Sequence, residues 1–261
     1  MTSDASDLLL PHVRQFTVGL ALTDPPHPKV LATGILASID NLSGILTCCH
    51  VADGYEERSE IGLVRFNRDG IPQRQKLGLG TTDTLKTGGP LWEDPYAFDL
   101  AFTRLAEPDV AALKATSVFL NYERNWKKFT DGEPNHHRHV DAIFGLVDEF
   151  TGQPRRENGS VTTPMQGVLT PGHIIARNNG ALTLECLDAN RPNLPESFGG
   201  NSGGGLWRLY FNVATDGSYN SVEIRLCGVA TYQLDATHIV CQGIERIEQL
   251  LITEIRKQWL S

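Results

Sequence analysis

Residues 199–205 read Gly-Gly-Asn-Ser-Gly-Gly-Gly, and this stretch constrains the chain more than any other. With glycine at five of its seven positions it has too little side chain to pack as the interior of a helix or strand, so it reads as a turn that presents one hydroxyl. A serine hydroxyl is a poor nucleophile until a base takes its proton, and the oxyanion that then develops needs backbone N–H donors that bulky neighbours would obstruct. The glycines around Ser202 meet that need. The bland reading, a structural turn, stands until partners for Ser202 are found elsewhere in the chain.

Two segments supply them. Ser43-Gly44-Ile45-Leu46-Thr47-Cys48-Cys49-His50-Val51-Ala52 is an apolar run of strand type that ends on a histidine, which puts His50 at a strand end. In Phe98-Asp99-Leu100-Ala101-Phe102-Thr103-Arg104-Leu105 a single acid is embedded among apolar neighbours that go on to alternate with polar residues, so Asp99 is expected to be partly buried. Singly, each has an ordinary structural reading, a satisfied core histidine or a strand-edge aspartate. Together with Ser202 they form a set.

The order His50, Asp99, Ser202, with intervals of 49 and 103 residues, resembles that of the chymotrypsin/trypsin-like serine proteases. Thr47-Cys48-Cys49-His50 resembles that family's Thr-Ala-Ala-His, Phe98-Asp99-Leu100-Ala101 its Asp-Ile-Ala-Leu, and Gly200-Asn201-Ser202-Gly203-Gly204 its Gly-Asp-Ser-Gly-Gly. The resemblance runs from about residue 15 onward. Gln15 to Leu22 and Val30 to Ile39 are similar to its first two strands, the second with a Thr33-Gly34 step, and Cys227-Gly228-Val229-Ala230-Thr231-Tyr232-Gln233 is similar to the strand that lines its substrate cleft. Near the end, Ile244, Ile247, Leu250, Leu251, Ile255 and Trp259 recur at helical spacing, matching its terminal helix.

The resemblance implies an all-β fold of two six-stranded antiparallel β-barrels with a C-terminal α-helix and the active site in the seam. On that plan residues 1–14 are an extension, 15–110 the first barrel with His50 and Asp99, 111–243 a linker and second barrel with Ser202, and 244–261 the helix. It further implies a serine endopeptidase acting on proteins or peptides without a cofactor. Ser202 is the nucleophile, His50 the base, Asp99 the group that orients His50, and the N–H groups of Gly200 and Ser202 form the oxyanion hole. Glu196, Thr231, Tyr232 and Gln233 are the expected substrate contacts, with Glu196 at the pocket base giving a weak lean toward Arg or Lys. The same triad handles esters, and a protease-like scaffold can also serve as a silent binding module.

Where the digestive members of that family carry an aspartate before the serine, this chain has Asn201, and it lacks an Ile-Val-Gly-Gly-like start that would supply an activating amine. A Gly-Asn-Ser-Gly-Gly loop is similar to that of the bacterial high-temperature-requirement proteases. It implies regulation by a partner protein rather than by zymogen cleavage, in a bacterial trypsin-like branch.

Composition bounds the alternatives. With 31 acidic against 23 basic residues the net charge is -8, and no long basic run exists to neutralise a phosphate backbone, so nucleic acid is not an expected partner. Nor is a membrane, because Leu8-Leu9-Leu10 is stopped by Pro11. Two acids in the first seven residues argue against a secretory signal. Five cysteines, an odd number, with Val51 where extracellular relatives place a half-cystine, read as reduced buried thiols in a cytoplasmic protein. Cys49 beside His50 raises a thiol nucleophile, but strand alternation would turn it away from the histidine.

Several further motifs carry less. Asn41-Leu42-Ser43 and Asn158-Gly159-Ser160 match a glycosylation acceptor and read as turns. His136, His137 and His139 invite a metal, but no Cys or carboxylate stands at a recurrent ligand spacing, and no metal site is expected. Phe119 to Phe129, aromatic and basic, and Gly152 to Thr163, polar and turn-rich, read as surface loops or as insertions that bind a regulator.

Overall fold

The computed structural model describes residues 10–24, 26–66, 72–89, 93–135, 138–157, 160–186, 195–215 and 219–260. In the first half, β1 (Thr17–Leu22), β2 (Lys29–Ile39), β3 (Leu42–Thr47), β4 (Glu60–Phe66), β5 (Pro72–Gly78), β6 (Asp83–Gly88) and β7 (Asp99–Arg104) form one antiparallel sheet in the order β5-β4-β1-β2-β3-β7-β6. A two-residue strand, β8 (Leu120–Asn121), adds parallel to β2. In the second half β9 (Arg138–Leu146) is followed by a separate hairpin of β10 (Arg155–Glu157) and β11 (Ser160–Thr162), then by β12 (Gly167–Asn178), β13 (Ala181–Cys186), β14 (Gly205–Val213), β15 (Tyr219–Gln233) and β16 (His238–Gly243). Six of these close a barrel in the order β12-β13-β16-β15-β14-β9. The architecture is chymotrypsin-like, a β-rich pair of units with a C-terminal helix.

The first unit differs from the expectation of a closed six-stranded barrel. It is a curled half-barrel sheet whose edge strands β5 and β6 do not pair with each other among the described residues. The C-terminal helix, residues 244–259 (labelled here α4), lies beside β6 and β7 in place of a closing strand. Trp259 reaches the ring of Phe102 at 6.2 Å and lies under the Arg104 guanidinium at 5.3 Å. Within α4, Ile247–Ile252 has π geometry, which lets Leu251 and Ile252 both turn inward while Leu250 stays half-buried.

β1 and β2 show why the two halves form a seam. A strand with one wet face alternates buried and exposed residues, whereas Thr17–Ala21 and Thr33–Ser38 are buried or nearly so throughout. Their second face is covered by the other unit. A Cβ on Gly19 would lie 2.3 Å from Leu146 Cδ1, so the missing side chain lets β9 approach β1. Phe16 stacks on the fully buried Trp207 at 5.6 Å, and Phe66 meets Phe144 edge-on at 5.3 Å.

The segment between the units is more ordered than a linker. It holds the helices Glu107–Lys114 and Tyr122–Thr130. The aromatic, basic stretch belongs to the second of these, where its role is structural. Asn125 is buried and its amide brackets the backbone of Leu226, donating to the carbonyl at 3.0 Å and accepting from the N–H at 2.9 Å. Lys128 Nζ donates to Ile224 O, and Arg225 Nη1 donates to Lys128 O and Gly132 O.

Candidate active site

Asp99 opens β7 and is fully buried. It sits opposite Gly88, whose φ of 122° and close approach to Phe98 O, 1.7 Å from where a Cβ would be, leave room only for glycine. Both Asp99 carboxylate oxygens are used by one residue. Oδ1 accepts from the His50 backbone N–H at 3.0 Å, and Oδ2 lies 2.6 Å from His50 Nδ1. The backbone bond explains a departure from the sequence reading. β3 ends at Thr47, its last partner being Ala101, and His50 lies in the short helix Cys49–Asp53 rather than at a strand end. Cys48 enters that helix in extended conformation without a side-chain cap, so Asp99 supplies the acceptor that a capping residue would otherwise provide. With the hydrogen on Nδ1, the imidazole is left with Nε2 as a free acceptor. The His50 side chain is 40% exposed.

The loop around Ser202 is pinned by backbone bonds on both sides. Gly200 and Gly203 have φ of 89° and 84°, the left-handed region that glycine enters freely, and a Cβ on Gly203 would lie 2.0 Å from Thr33 O. Asp148 N donates to Gly199 O at 2.7 Å, Thr33 N to Ser202 O at 2.9 Å, and Gly203 N to Ala230 O at 2.8 Å. Among the described residues the N–H groups of Gly200 and Ser202 make no hydrogen bond, so two donors are left free beside the hydroxyl. Ser202 Oγ donates to Thr231 O at 3.5 Å and is not hydrogen-bonded to His50.

Ser202 and His50 line one open cleft of about 480 Å³ with Ser197, Phe198, Gly199, Asn201, Ala230, Thr231, Tyr232, Gln233 and Ile239. Thr231, Tyr232 and Gln233 are thus brought to the cleft as the sequence suggested. Glu196 is not. It is exposed and absent from the lining, because Gln233 ties the wall differently: its Nε2 donates to the Glu196 backbone carbonyl at 3.3 Å and to Asp235 O at 3.0 Å, while its Oε1 accepts from Phe198 N at 2.9 Å. Glu149 faces the outside of the same loop, accepting from Ser197 N at 3.0 Å. Among the described residues the cleft lining carries no carboxylate. A second cavity of about 390 Å³, between β1, β4, β5 and residues 161–165, is mostly apolar and holds none of the candidate residues.

The five thiols are free and buried. Cys49 lies in the helix with His50, so the strand-alternation argument against it does not apply. Burial, followed by the nearby Asp53 carboxylate, pushes its thiol up to about 11, which leaves it protonated and a poor nucleophile at neutral pH. Cys48, His50 and Asp99 bring potential metal-ligand atoms within 4.8 Å of one another. Cys48 is fully buried, its Sγ donates to Ala230 O, and burial followed by Asp99 raises the thiol well above its usual range. His139 lies on β9 beside the Tyr210 ring, whereas His136, His137, Asn158 and Gly159 fall outside the described residues.

Sequence reasoning missed Thr33. It noticed only a small-residue step, yet this fully buried residue touches the serine loop at two points.

No family model and no curated protein matches the chain. Among solved structures it is similar to the crystal structure of Drosophila Grass, a clip serine protease of the Toll pathway, with 15% sequence identity over 95% of this chain and 70% of that one and a TM-score of 0.48. The fold assignment stands on strand order and barrel closure. No helix among the described residues is long and apolar enough to cross a membrane.

Proposed function

We propose that the chain is a serine endopeptidase of the trypsin-like kind. Ser202 Oγ attacks the scissile carbonyl, His50 Nε2 takes its proton and returns it to the leaving amine, Asp99 holds the imidazole in the productive tautomer, and the N–H groups of Gly200 and Ser202 bind the oxyanion. The observation that carries this reading is the 2.6 Å pair between His50 and the fully buried Asp99, which opens into the same cleft as a serine flanked by two free N–H donors. The test is reaction with a fluorophosphonate probe and cleavage of an unfolded protein substrate. Wild type reacts at Ser202 and cleaves, Ser202→Ala does neither while keeping its fold, and unchanged activity in Ser202→Ala refutes the assignment.

The substrate preference in this reading is for an uncharged side chain before the scissile bond. With Glu196 outside the lining and Gln233 bridging the wall, a Lys or Arg side chain would meet no counter-charge among the described residues. A peptide-library cleavage profile tests this, and strong preference for Lys or Arg refutes it. Five free buried thiols favour a reducing compartment, and we assign the enzyme to the cytoplasm. A silent binding scaffold is the second reading, favoured by the Ser202 hydroxyl pointing to Thr231 O rather than to His50. Absence of probe reaction would select it.

A further inference from the structure

In this loop the residue that would hold an activating ion pair holds nothing. Asn201 is 2% exposed, and neither its Oδ1 nor its Nδ2 has a hydrogen-bond partner among the described residues. Its amide packs against Gly145 and Gly204, where a Cβ would fall 2.1 Å and 2.6 Å from Oδ1. The loop is nevertheless fixed in an open form, with the Gly200 and Ser202 N–H groups unengaged.

The middle of the loop is anchored by Thr33, on a strand of the other unit. Its hydroxyl donates to Gly200 O at 2.8 Å and accepts from Leu146 N at 2.8 Å, so one oxygen joins β2, β9 and the serine loop. Its backbone N–H donates to Ser202 O at 2.9 Å, and its carbonyl accepts from Thr47 Oγ1 at 2.8 Å, three residues before His50. Thr33 is fully buried, which shields its end of each bond from bulk solvent, while Gly200 and Ser202 are half-buried. Asp148 N on Gly199 O holds the peptide that carries the Gly200 N–H, and Gly204 N on Asn201 O holds the peptide that carries the Ser202 N–H, while the Thr33 hydroxyl holds the Gly200–Asn201 peptide between these two. A peptide carbonyl held away from Ser202 leaves the N–H groups free for an oxyanion.

We propose that Thr33 is the positioning residue of the oxyanion loop, replacing the ion pair that Asn201 cannot make, so that the isolated chain carries an ordered oxyanion hole without a partner protein. The proposal rests on the serine-hydrolase reading above. It replaces the sequence-based expectation that a partner orders this loop.

The test uses the purified full chain, a fluorophosphonate probe and a fluorogenic peptide. Wild type alone should react at Ser202. Thr33→Val removes the hydroxyl at nearly constant shape, and its kcat and its probe reaction should fall roughly a hundredfold, the scale of a lost oxyanion donor or a misplacement of about 1 Å. KM should change little, because Thr33 is not part of the cleft lining. Thr33→Ser restores the oxygen and should recover the rate to within about tenfold. A general packing defect would instead leave Thr33→Ser as slow as Thr33→Val, and that result overturns the proposal, as does a Thr33→Val chain that reacts like wild type. If Thr33→Val does not fold, the wild-type and Thr33→Ser rates decide, and a folded Thr33→Ser more than about a hundredfold slower than wild type overturns it. Failure of wild type to react under any condition overturns the hydrolase reading and this one with it, whereas reaction in wild type without the Thr33 dependence overturns this one alone.

Discussion

Asp99→Asn separates the chemistry of the site from its architecture. The native carboxylate satisfies two donors from His50, the backbone N–H at 3.0 Å and Nδ1–H at 2.6 Å. An asparagine keeps one oxygen. If that oxygen stays on the backbone N–H, the new NH2 group faces Nδ1, which must then become an acceptor, and the ring proton moves to Nε2, the nitrogen that takes the Ser202 proton in the proposed mechanism. If the amide flips, its NH2 meets the backbone N–H, donor against donor, at a fully buried site. The first arrangement is cheaper because it breaks no backbone bond. It leaves a folded protein with its base in the wrong tautomer. In the serine-triad template the equivalent change lowers kcat about 10⁴-fold, which at 1.36 kcal/mol per decade is about 5.4 kcal/mol of transition-state stabilisation. Stability should move far less, by about 2 kcal/mol or under, because the lost charge-assisted bonds are partly offset by the removal of a buried charge. The assay pairs the second-order rate of fluorophosphonate labelling with the urea midpoint of the same preparation. A folded Asp99→Asn protein that labels within about tenfold of wild type would show that Asp99 does not govern the tautomer of His50.

Three other outcomes are expected. Gly203→Ala adds left-handed strain of about 1–2 kcal/mol and a Cβ that meets Thr33 O at 2.0 Å and Thr47 Oγ1 at 2.2 Å, so urea unfolding should show a loss of about 2–5 kcal/mol, and a loss under about 1 kcal/mol would contradict the loop geometry. Asn125→Ala strands the N–H and carbonyl of Leu226 in the interior and should cost about 2–4 kcal/mol by the same measurement, whereas a neutral result would return that helix to the status of a surface insertion. The buried thiols have folded values above the ordinary 9.0, about 11 for Cys49 and about 12 for Cys186 and Cys227, all principally through burial. Their contribution to stability is whole below about pH 9 and is lost as pH rises through 11 to 12. The urea midpoint should therefore fall progressively above pH 9, and native protein at pH 8 should resist iodoacetamide that modifies the unfolded chain; ready modification of the native protein would contradict the burial.

The parts of this structure that were legible in the sequence are those where local chemistry leaves little choice. Five glycines in seven residues announced a turn, and Gly200 and Gly203 do adopt left-handed backbone. An acid among apolar neighbours announced burial, and Asp99 is fully buried. β1 and β2 were legible through their likeness to a family's first two strands, and the C-terminal helix from its spacing, although the π stretch that turns Leu251 and Ile252 inward together leaves no periodic trace. The strand-end position of His50 was misread because the residues from Thr47 to Ala52 are as apolar as the strand before them. What ends β3 is a carboxylate 49 residues away that takes the His50 N–H.

Glu196 and Thr33 fail for opposite reasons that share one cause. The resemblance implies a place for Glu196 at the pocket base, but the path of residues 195–198 is tied to Gln233, whose amide holds the Glu196 carbonyl and the Phe198 N–H from across the cleft. Thr33 looked like a small spacer because threonine is an ordinary strand residue, and nothing within its own strand says that its hydroxyl will meet Gly200 O from 167 positions away. In both cases the deciding bond is made by a backbone group, and every residue type carries the same backbone groups, so the partner leaves no mark on its own stretch of sequence. Side-chain identity announces the groups proposed to react, His50, Asp99 and Ser202. The bonds that aim them run through peptide groups of the opposite unit, which is why mutations at Thr33 should separate reaction rate from substrate affinity although Thr33 itself touches no substrate.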